Sequence, residues 1–533
     1  MPTHAPQFSH NSELPELQTP SFYLGAIEAF GALVTKLESQ QAHQMNLKEL
    51  EDQVLINGFE ALRLALQSHV NERAATTIVN DPVIGADLLE RTQMLQQTRD
   101  VETIFGTIKV TRTGYSEQGL ESLHPVDASF NLPAERYSHA VRYRAAEAAT
   151  KNSFDDVVAE IDKYTGAHLP KRQAEQIVTR AAQDFDEFYA QREVSEDRTR
   201  ESSQVLVLTT DGKGVPMRKA DLREATRKAA EIRQPHYQHR RSKGEKSGSK
   251  RMSTVAAVYT VAPFIRTPEQ IAGELHPSEH GLPVTRPRPE DKRVWASLKH
   301  PPEAVISQAF EEAMRRDPQR EKRWCALVDG NELQLELFKC AAKDHEVDLT
   351  IVLDLIHVTE YLWDAARAFY AERDPAAEEW VSERLLDILR GKSSLVAAGM
   401  RRSATLLMMS ETRRVPVDKC AAYLLKYRPY LRYDQYLAAG LPIATGVIEG
   451  ACRYLVKDRM EKTGARWSLE GAEAVLRLRA LRASGDFDEY WELHLQKEYE
   501  RQHTSRYADG KVPELEPRPN RVAKGSHLRL VKR

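Results

Sequence analysis

The sequence predicts an α/β protein: a mixed sheet, a helical insertion ahead of its last acidic residue, and a mainly helical region on the N-terminal side. Three observations carry this. Apolar runs at 205–208, 324–328 and 347–353 have the length and aliphatic content of strands buried on both faces. Each run is followed within a few residues by an acid, namely Asp211, Asp329 and Asp354. The roughly 90 residues between Asp354 and Glu449 read almost wholly as helix.

Taken in order, residues 22–75 are helical, with Leu24, Ile27, Phe30, Leu33 and Leu37 at three- and four-residue spacing. They form either a helix pair packed on the body or a dimerisation or docking element. Residues 103–111 alternate around the turn residue Gly106 and predict a hairpin. A proline-containing segment, 123–133, leads into helices. Helix 154–164, the pair Thr165-Gly166 and helix 170–189 give a helix-turn-helix pattern, with Pro170 suited to a first turn and Lys171, Arg172 and Arg180 along the second helix. Such pairs also occur in ordinary helical packing. Charged residues 193–201 read as a linker.

The strand at 205–208 then ends in Thr209-Thr210-Asp211-Gly212-Lys213-Gly214, which places Asp211 at its mouth. A second strand is expected at 252–261, a proline-rich insertion at 267–302 and a helix at 302–316. The Asp329 strand, a helix at 332–342 and the Asp354 strand follow. The insertion divides into helices at 376–389, 394–412 and 417–431, after which Gly446-Val447-Ile448-Glu449-Gly450 opens a helical stretch carrying Arg453, Lys457 and Arg459.

Composition bounds the function. The 533 residues are too many for one core, and three or four domains of about 100 to 200 residues are expected. No 18-residue apolar run exists to span a membrane, and residues 1–20 lack an apolar signal core, so a cytoplasmic protein is expected. The four cysteines form no CxxC pair and read as packed core thiols. A net charge of -2 argues against a nucleic-acid partner until its distribution is considered. Residues 227–251 hold nine Lys or Arg against two Glu, with His236, Tyr237 and His239 interleaved, and residues 506–533 hold eight basic residues. Either cluster is a solvated loop or a DNA-backbone contact, and the first follows the Asp211 strand and its helix, which would set Arg240, Arg241 and Lys243 beside the acids.

Carboxylates converging from strand ends and a helix repel and shift one another's pKa unless a divalent cation offsets them. A magnesium-dependent phosphoryl-transfer site is therefore expected. Two magnesium ions about 3.5 to 4 Å apart, held among Asp211, Asp329, Asp354 and Glu449, would activate a nucleophile and stabilise the leaving oxygen of an in-line displacement. Manganese is expected to substitute. Lys457, about two turns after Glu449, either binds a phosphate or is a surface cation, and so does Arg453. Trp467 and Trp380 either stack on an unpaired base or pack in the core.

The order of strands, helical insertion and final helical acid resembles the RNase H-like core of DDE transposases. Thr210-Asp211-Gly212-Lys213-Gly214-Val215-Pro216-Met217-Arg218, Val328-Asp329-Gly330-Asn331, Asp354-Leu355-Ile356-His357, the Glu449 segment through Lys457-Asp458-Arg459-Met460, and Thr463-Gly464-Ala465-Arg466-Trp467 are together similar to insertion-sequence transposases of the ISKra-four family. The likeness runs from the hairpin near Thr103 to about Tyr507. The paired zinc-ribbon cysteines that relatives often carry are absent from 103–133, so zinc is not carried over.

The resemblance implies a helical region at 1–100, a hairpin and helix-turn-helix-like DNA-binding region at 101–192, an RNase H-like core at 202–374 and 441–500 split by the insertion 375–440, and a basic tail at 501–533. It implies a DDE transposase acting on double-stranded DNA, both transposon terminal inverted repeats and target, as at least a dimer on paired ends and associated with the bacterial nucleoid when bound. The alternative is a domesticated DNA-binding protein that no longer cuts. In an RNase H-like sheet the second acid closes the fourth strand, which adjoins the first. Counting strands makes Asp329 that acid and leaves Asp354 and His357 in a supporting or DNA-positioning role, with Asp354 as metal ligand the alternative. His357 alternatively belongs to a capped helix start.

Overall fold

The structure is a computed structural model that describes residues 21–192, 204–232, 249–275 and 286–518. By contact the chain forms two units, residues 1–145 with 155–174 and 493–533, and residues 146–154 with 175–492. The boundaries drawn from the sequence at 100, 192 and 500 do not coincide with these.

In the first unit, α1 (Leu24–Leu37) packs on α2 (Leu47–Thr76). A reciprocal cap starts α2: the Glu49 backbone N–H donates to Asn46 Oδ1 at 3.0 Å and the Asn46 N–H to Glu49 Oε2 at 2.9 Å. After the short β1 (Thr77–Ile78), the expected hairpin is β2 (Gln93–Thr103) with β3 (Gly106–Ser116), eleven residues each and longer than the alternation at 103–111 marked. Outside that stretch β2 is mostly exposed, with Met94 and Leu95 adjacent and only Val101 and Glu102 buried, so no apolar alternation signals it. The short helix α3 (Pro125–Ser129) is held to β3 by a buried bidentate pair, Arg112 Nε to Asp127 Oδ1 at 2.8 Å and NH2 to Oδ2 at 3.1 Å.

The helices α4 (His139–Ala149), α5 (Phe154–Tyr164), α6 (Lys171–Ala181) and α7 (Phe185–Gln191) follow. The single helix expected at 170–189 is thus two, broken at 182–184. The turn after α5 has a packing reason for its glycine: a Cβ on Gly166 would lie 2.6 Å from the Phe105 carbonyl carbon at the hairpin tip. The Gly166 N–H donates to Ile104 O at 2.9 Å.

The second unit is built on β4 (Val205–Pro216), α8 (Glu224–Ile232), β5 (Lys250–Val261), α9 (Pro268–Leu275), β6 (Glu290–Ser297), α10 (Pro302–Arg316), β7 (Arg323–Val328), α11 (Glu332–Asp344) and β8 (Leu349–Leu353). The sheet order is β6-β5-β4-β7-β8. The β4/β5 and β5/β6 pairs are antiparallel, whereas β4/β7 and β7/β8 are parallel. A parallel pair needs a crossover, and α11 supplies it between β7 and β8.

Two expectations are corrected here. Asp211 does not end its strand: β4 runs on to Pro216, because β5 continues to pair with Gly212 and Gly214. Those glycines read as a turn, yet a Cβ on Gly212 would approach Met252 Cε to 3.1 Å. The segment 267–302 is likewise more than an insertion, since it contains α9 and the sheet's edge strand β6.

Beyond β8 come α12 (Leu355–Phe369), α13 (Pro375–Leu389), α14 (Ser393–Leu406), α15 (Glu411–Lys426), α16 (Tyr433–Ala438), α17 (Gly446–Ala451), α18 (Leu469–Ser484) and α19 (Phe487–Gln502). The helix expected at 394–412 ends early at Leu406, where Met408 takes a φ of 47°, and the next begins before Pro416 rather than after it. The α13–α15 insertion stands on α12, and α18 lies along β6. Glu473 of α18 closes the end of β6, accepting from Ser297 Oγ at 2.7 Å and the Leu298 N–H at 2.7 Å.

The last strand, β9 (Glu516–Pro517), pairs with β1 inside the first unit. Tyr507 is buried there with Val79, Val83, Tyr115 and Leu123. The start of the expected basic tail is therefore packed, and residues 519–533 lie outside the described residues.

Candidate functional site

The acids gather at one end of the sheet because of register. Thr209 is the last β4 partner of β7, opposite Leu327, and carrying that offset two residues further sets Asp211 beside Asp329. Val328 pairs with Leu353, so the same step sets Asp329 beside Asp354. The ladder continues this far, since the Asp354 N–H donates to Val328 O at 2.8 Å. Residues opposite each other in a parallel pair share a face, and neighbouring strands are ~4.8 Å apart, so the three acids form a row on one face. Glu449 arrives over that row from α17, which packs on β4 and β5.

Each carboxylate has a different environment. Asp354 is wholly buried and caps α12. Its Oδ1 accepts the Thr445 N–H at 3.1 Å and the Ile356 N–H at 3.3 Å. Its Oδ2 accepts Thr445 Oγ1–H at 2.8 Å and lies 2.9 Å from His357 Nδ1. Four donors from this protein already satisfy it. Asp329 is half-buried and accepts one bond, from the Asn331 N–H to Oδ1 at 2.8 Å. Gly330, with a φ of 92°, makes the turn that leads from it into α11. Asp211 accepts the Gly212 N–H on Oδ1 and the Cys452 thiol on Oδ2 at 3.2 Å.

The charges are mutually coupled. The hydrogen bond to Asp354 raises His357 to about 9, with Asp329 and Glu360 adding to the effect, so the imidazole is protonated at neutral pH. Burial first, then the Asp354 and Asp211 carboxylates, push Glu449 above the ordinary carboxylate range, while His357 acts against them. Burial and Asp211 push the Cys452 thiol well up, so it stays a donor.

One oxygen each from Asp354 and Glu449 and a nitrogen of His357 lie within 4.8 Å of one another, the one group of this kind among the described residues. Glu449 projects to solvent from it, as an incoming ion or phosphate requires. The donor set in the wider row is dominated by carboxylate oxygen, which suits a hard divalent cation. Asp329 and Asp211 each retain acceptor capacity toward such an ion, whereas Asp354 has spent its capacity on Thr445, Ile356 and His357.

The helical insertion holds the strand ends. Tyr433 Oη donates to Leu353 O at 2.8 Å, Tyr436 Oη to Ile351 O at 3.2 Å and Tyr423 Oη to Asp329 O at 3.3 Å, and Tyr427 Oη donates to Gly330 O. Tyr361 of α12 stacks on Tyr423 with ring centroids 4.0 Å apart. These tyrosines, Thr445 and Cys452 were not singled out from the sequence. The signal for the first was present, as five tyrosines fall between 423 and 436.

Of the expected DNA contacts, Arg240, Arg241 and Lys243 lie outside the described residues. Lys171 and Arg172 are exposed at the start of α6, with Lys171 paired to Asp155 at 2.8 Å, and Arg180 is exposed on the same helix. After α17 the chain makes a π-helical turn, Cys452–Lys457. Its inward residues Leu455 and Val456 are buried, and Arg453 and Lys457 face solvent. Lys213 projects from β4 on the same face as Asp211, two residues on.

Trp467 is corrected: it is 6% exposed and packs inside, with Arg459 over its ring at 4.8 Å and its indole N–H donated to Met460 O at 2.9 Å. It presents no open face for a base. Its backbone instead ties the segment after Glu449 to the end of β4, since the Trp467 N–H donates to Pro216 O and the Arg218 N–H to Trp467 O. Trp380 is also buried, against Phe369. Among the cysteines, Cys325, Cys420 and Cys452 are buried as expected, but Cys340 is exposed on α11. Among the described residues no helix is long and apolar enough to cross a membrane. No protein-family model matches the chain, and none of the curated proteins matches it.

Proposed function

We propose that the chain is a DDE transposase: a metal-dependent polynucleotidyl transferase that binds transposon ends and carries out DNA strand cleavage and strand transfer by in-line attack at phosphorus. The observation that carries this reading is the parallel β4/β7 register, whose last pair, Thr209 with Leu327, stands two residues before Asp211 and Asp329, with Glu449 on a helix, beyond an insertion, that packs on β4. Three antiparallel strands followed by two parallel ones, ordered third-second-first-fourth-fifth, is the arrangement expected of an RNase H-like core, which supports the same reading.

Asp211, Asp329 and Glu449 would hold magnesium or manganese, which when bound supplies Lewis acidity and lowers the pKa of a coordinated water or hydroxyl. Asp354 has another task. By accepting from Thr445 it fixes the start of α17 and hence the approach of Glu449, and it holds His357 as a cation beside the row of acids. That cation, with Lys213 on β4 and Lys457 after the π-turn, provides positive charge to orient a DNA phosphate. Nothing in the set requires a covalent protein intermediate. Positioning and charge neutralisation are the protein's contributions.

The test is magnesium-dependent cleavage and joining of DNA bearing the element's own terminal inverted repeats. Full activity in an Asp211→Asn, Glu449→Gln double variant would remove the proposal.

A further inference from the structure

The two helices at the start of the chain each have a core of their own and still leave apolar side chains in solvent. On one side, Ala26 and Leu33 of α1 are buried where it packs on α2. On the other, Leu66 and Val70 of α2 close on Val101, Ile108 and Val110 of the β2–β3 hairpin. Neither contact covers Leu24, Ile27, Phe30 and Val34 of α1 or Leu55 and Leu62 of α2, which stay between 39% and 59% exposed.

These residues form two matched seams. Ile27, Phe30, Val34 and Leu37 repeat at three, four and three residues along α1, and Leu55, Gly58, Leu62 and Ala65 repeat the same spacing along α2. It is the spacing at which one helix packs into another. A hydrogen bond sets both seams on one flank. Tyr23, one helical turn before Ile27, stands at the head of the first seam, and His69, one turn after Ala65, stands at the foot of the second. The Tyr23 hydroxyl donates to Glu72 Oε2 at 2.8 Å and lies 3.3 Å from His69 Nδ1. The seams therefore run side by side in opposite directions. Between their side chains the surface is open, since a Cβ on Gly31 or Gly58 would meet nothing within 4 Å.

Area and charge decide what covers this flank. Six side chains of this size, each about half exposed, present about 500 Å² of apolar surface, at the upper end of what a monomer leaves in water. With the polar residues at its margins the flank approaches the ~800 Å² per partner of a stable interface. No charged residue interrupts either seam, so the matching surface is uncharged and helical. Two other exposed apolar groups do not supply it: Leu406, Leu407 and Met408 stand among Arg402, Arg413 and Arg414, and Leu88 and Leu89 lie between Asp87 and Glu90. The same flank of a second chain does supply it, and a patch that pairs with its own copy closes at two.

We infer that α1 and α2 of two copies close on each other through this flank as a four-helix bundle about a two-fold axis. The contact uses no DNA and no residue of the acid row, so it stands whether or not that row cuts DNA. A dimer formed in this way exists before any pair of DNA ends is brought together.

Sedimentation of the full chain without DNA reads the mass. The wild type should run as two chains, and Phe30→Glu with Leu62→Glu should weaken the association at least about a hundredfold. Helix content should not change, because both positions are open in the single chain. Ala32→Glu, exposed on the far side of α1, should leave the mass at two chains. In a Cys340→Ser background, a short bismaleimide should join two chains through Gly31→Cys and not through Ala32→Cys, which locates the contact even where the Glu pair folds poorly. A monomeric wild type overturns the inference, and so does a dimer that survives the Glu pair in a folded chain or is joined equally through both cysteines. A monomer that becomes a dimer on deletion of residues 1–20 would make that segment the occupant of the flank, which overturns the inference as well.

Discussion

Replacing Asp329 and Asp354 in turn by Asn separates the two carboxylates by what each is bonded to. In Asp354→Asn the side chain keeps one acceptor oxygen, but an NH2 now meets Thr445 Oγ1 and His357 Nδ1, two groups that had donated to Oδ2. Hydrogen bonds to a charged group contribute about 1.5–3 kcal/mol, so losing two in a fully buried place costs about 3–6 kcal/mol, a large part of the ~5–15 kcal/mol that holds a domain folded. Asp329→Asn keeps its one bond, because an amide oxygen accepts the Asn331 N–H equally well, and stability should change by no more than about 0.5 kcal/mol. Activity should respond in the opposite sense. Removing a metal-ligating charge of about 4 kcal/mol lowers cleavage about a thousandfold in Asp329→Asn. Asp354→Asn, measured well below its melting midpoint, should stay within about tenfold. Urea melts without metal and cleavage of end-bearing DNA with magnesium give both axes. Wild-type melting with no cleavage in Asp354→Asn, together with normal cleavage in Asp329→Asn, would refute the reasoning and make Asp354 the second acid.

Tyr433→Phe removes a wholly buried donor from Leu353 O and should destabilise the chain by about 1–3 kcal/mol in urea melts, with an unchanged midpoint counting against the clamp. In the first unit, burial and then a neighbouring arginine lower His124 and His139 to about 4 each. Their folded values lie below the unfolded value of about 6.5, so stability is present above that pH and is lost as pH falls toward 4, by no more than about 3 kcal/mol apiece. Melts of the first unit's transition that are flat from pH 7 to 4 would contradict this. Iodoacetamide at pH 8 should label Cys340 alone in the native chain, since burial raises Cys325 and Cys420 to about 12 and Cys452 is both buried and bonded to Asp211. Mass spectrometry reads the labelled sites, and rapid native labelling of Cys452 would break the assignment of its thiol as a donor.

The strands that lead to the acids were legible because strands buried on both faces leave a continuous apolar signal that stops at an acid, as at Val328 and Leu353. The edge strand β6 gave no such signal. Its sequence, Glu290 to Ser297, opens with four charged residues, because Glu290 and Asp291 lie at the exposed margin and Arg293 is buried against Glu312 at 2.6 Å, and the prolines before it resemble a loop. The overhang of β4 was hidden for a related reason. Gly212 and Gly214 carry no side chain, a pattern that reads as a turn, whereas in the sheet it makes room for Met252 and Lys250.

What a linear reading of the site cannot supply is which donors a carboxylate has already accepted, since Thr445 and Cys452 reach Asp354 and Asp211 from 91 and 241 residues away. The same limit applies to the insertion. Its helices were plain from periodicity, but their use was not, because it resides in four phenol hydroxyls that bond to backbone carbonyls within β8 and in the turn just past β7. A backbone carbonyl has no sequence identity, so nothing in the residues at the receiving end records the contact. The consequence for the chemistry is physical rather than topological. Two neighbouring strand ends that carry repelling acids are kept in register by an element that reads as an interruption of the core, and removing that element should spread the acids even though every one of them would remain.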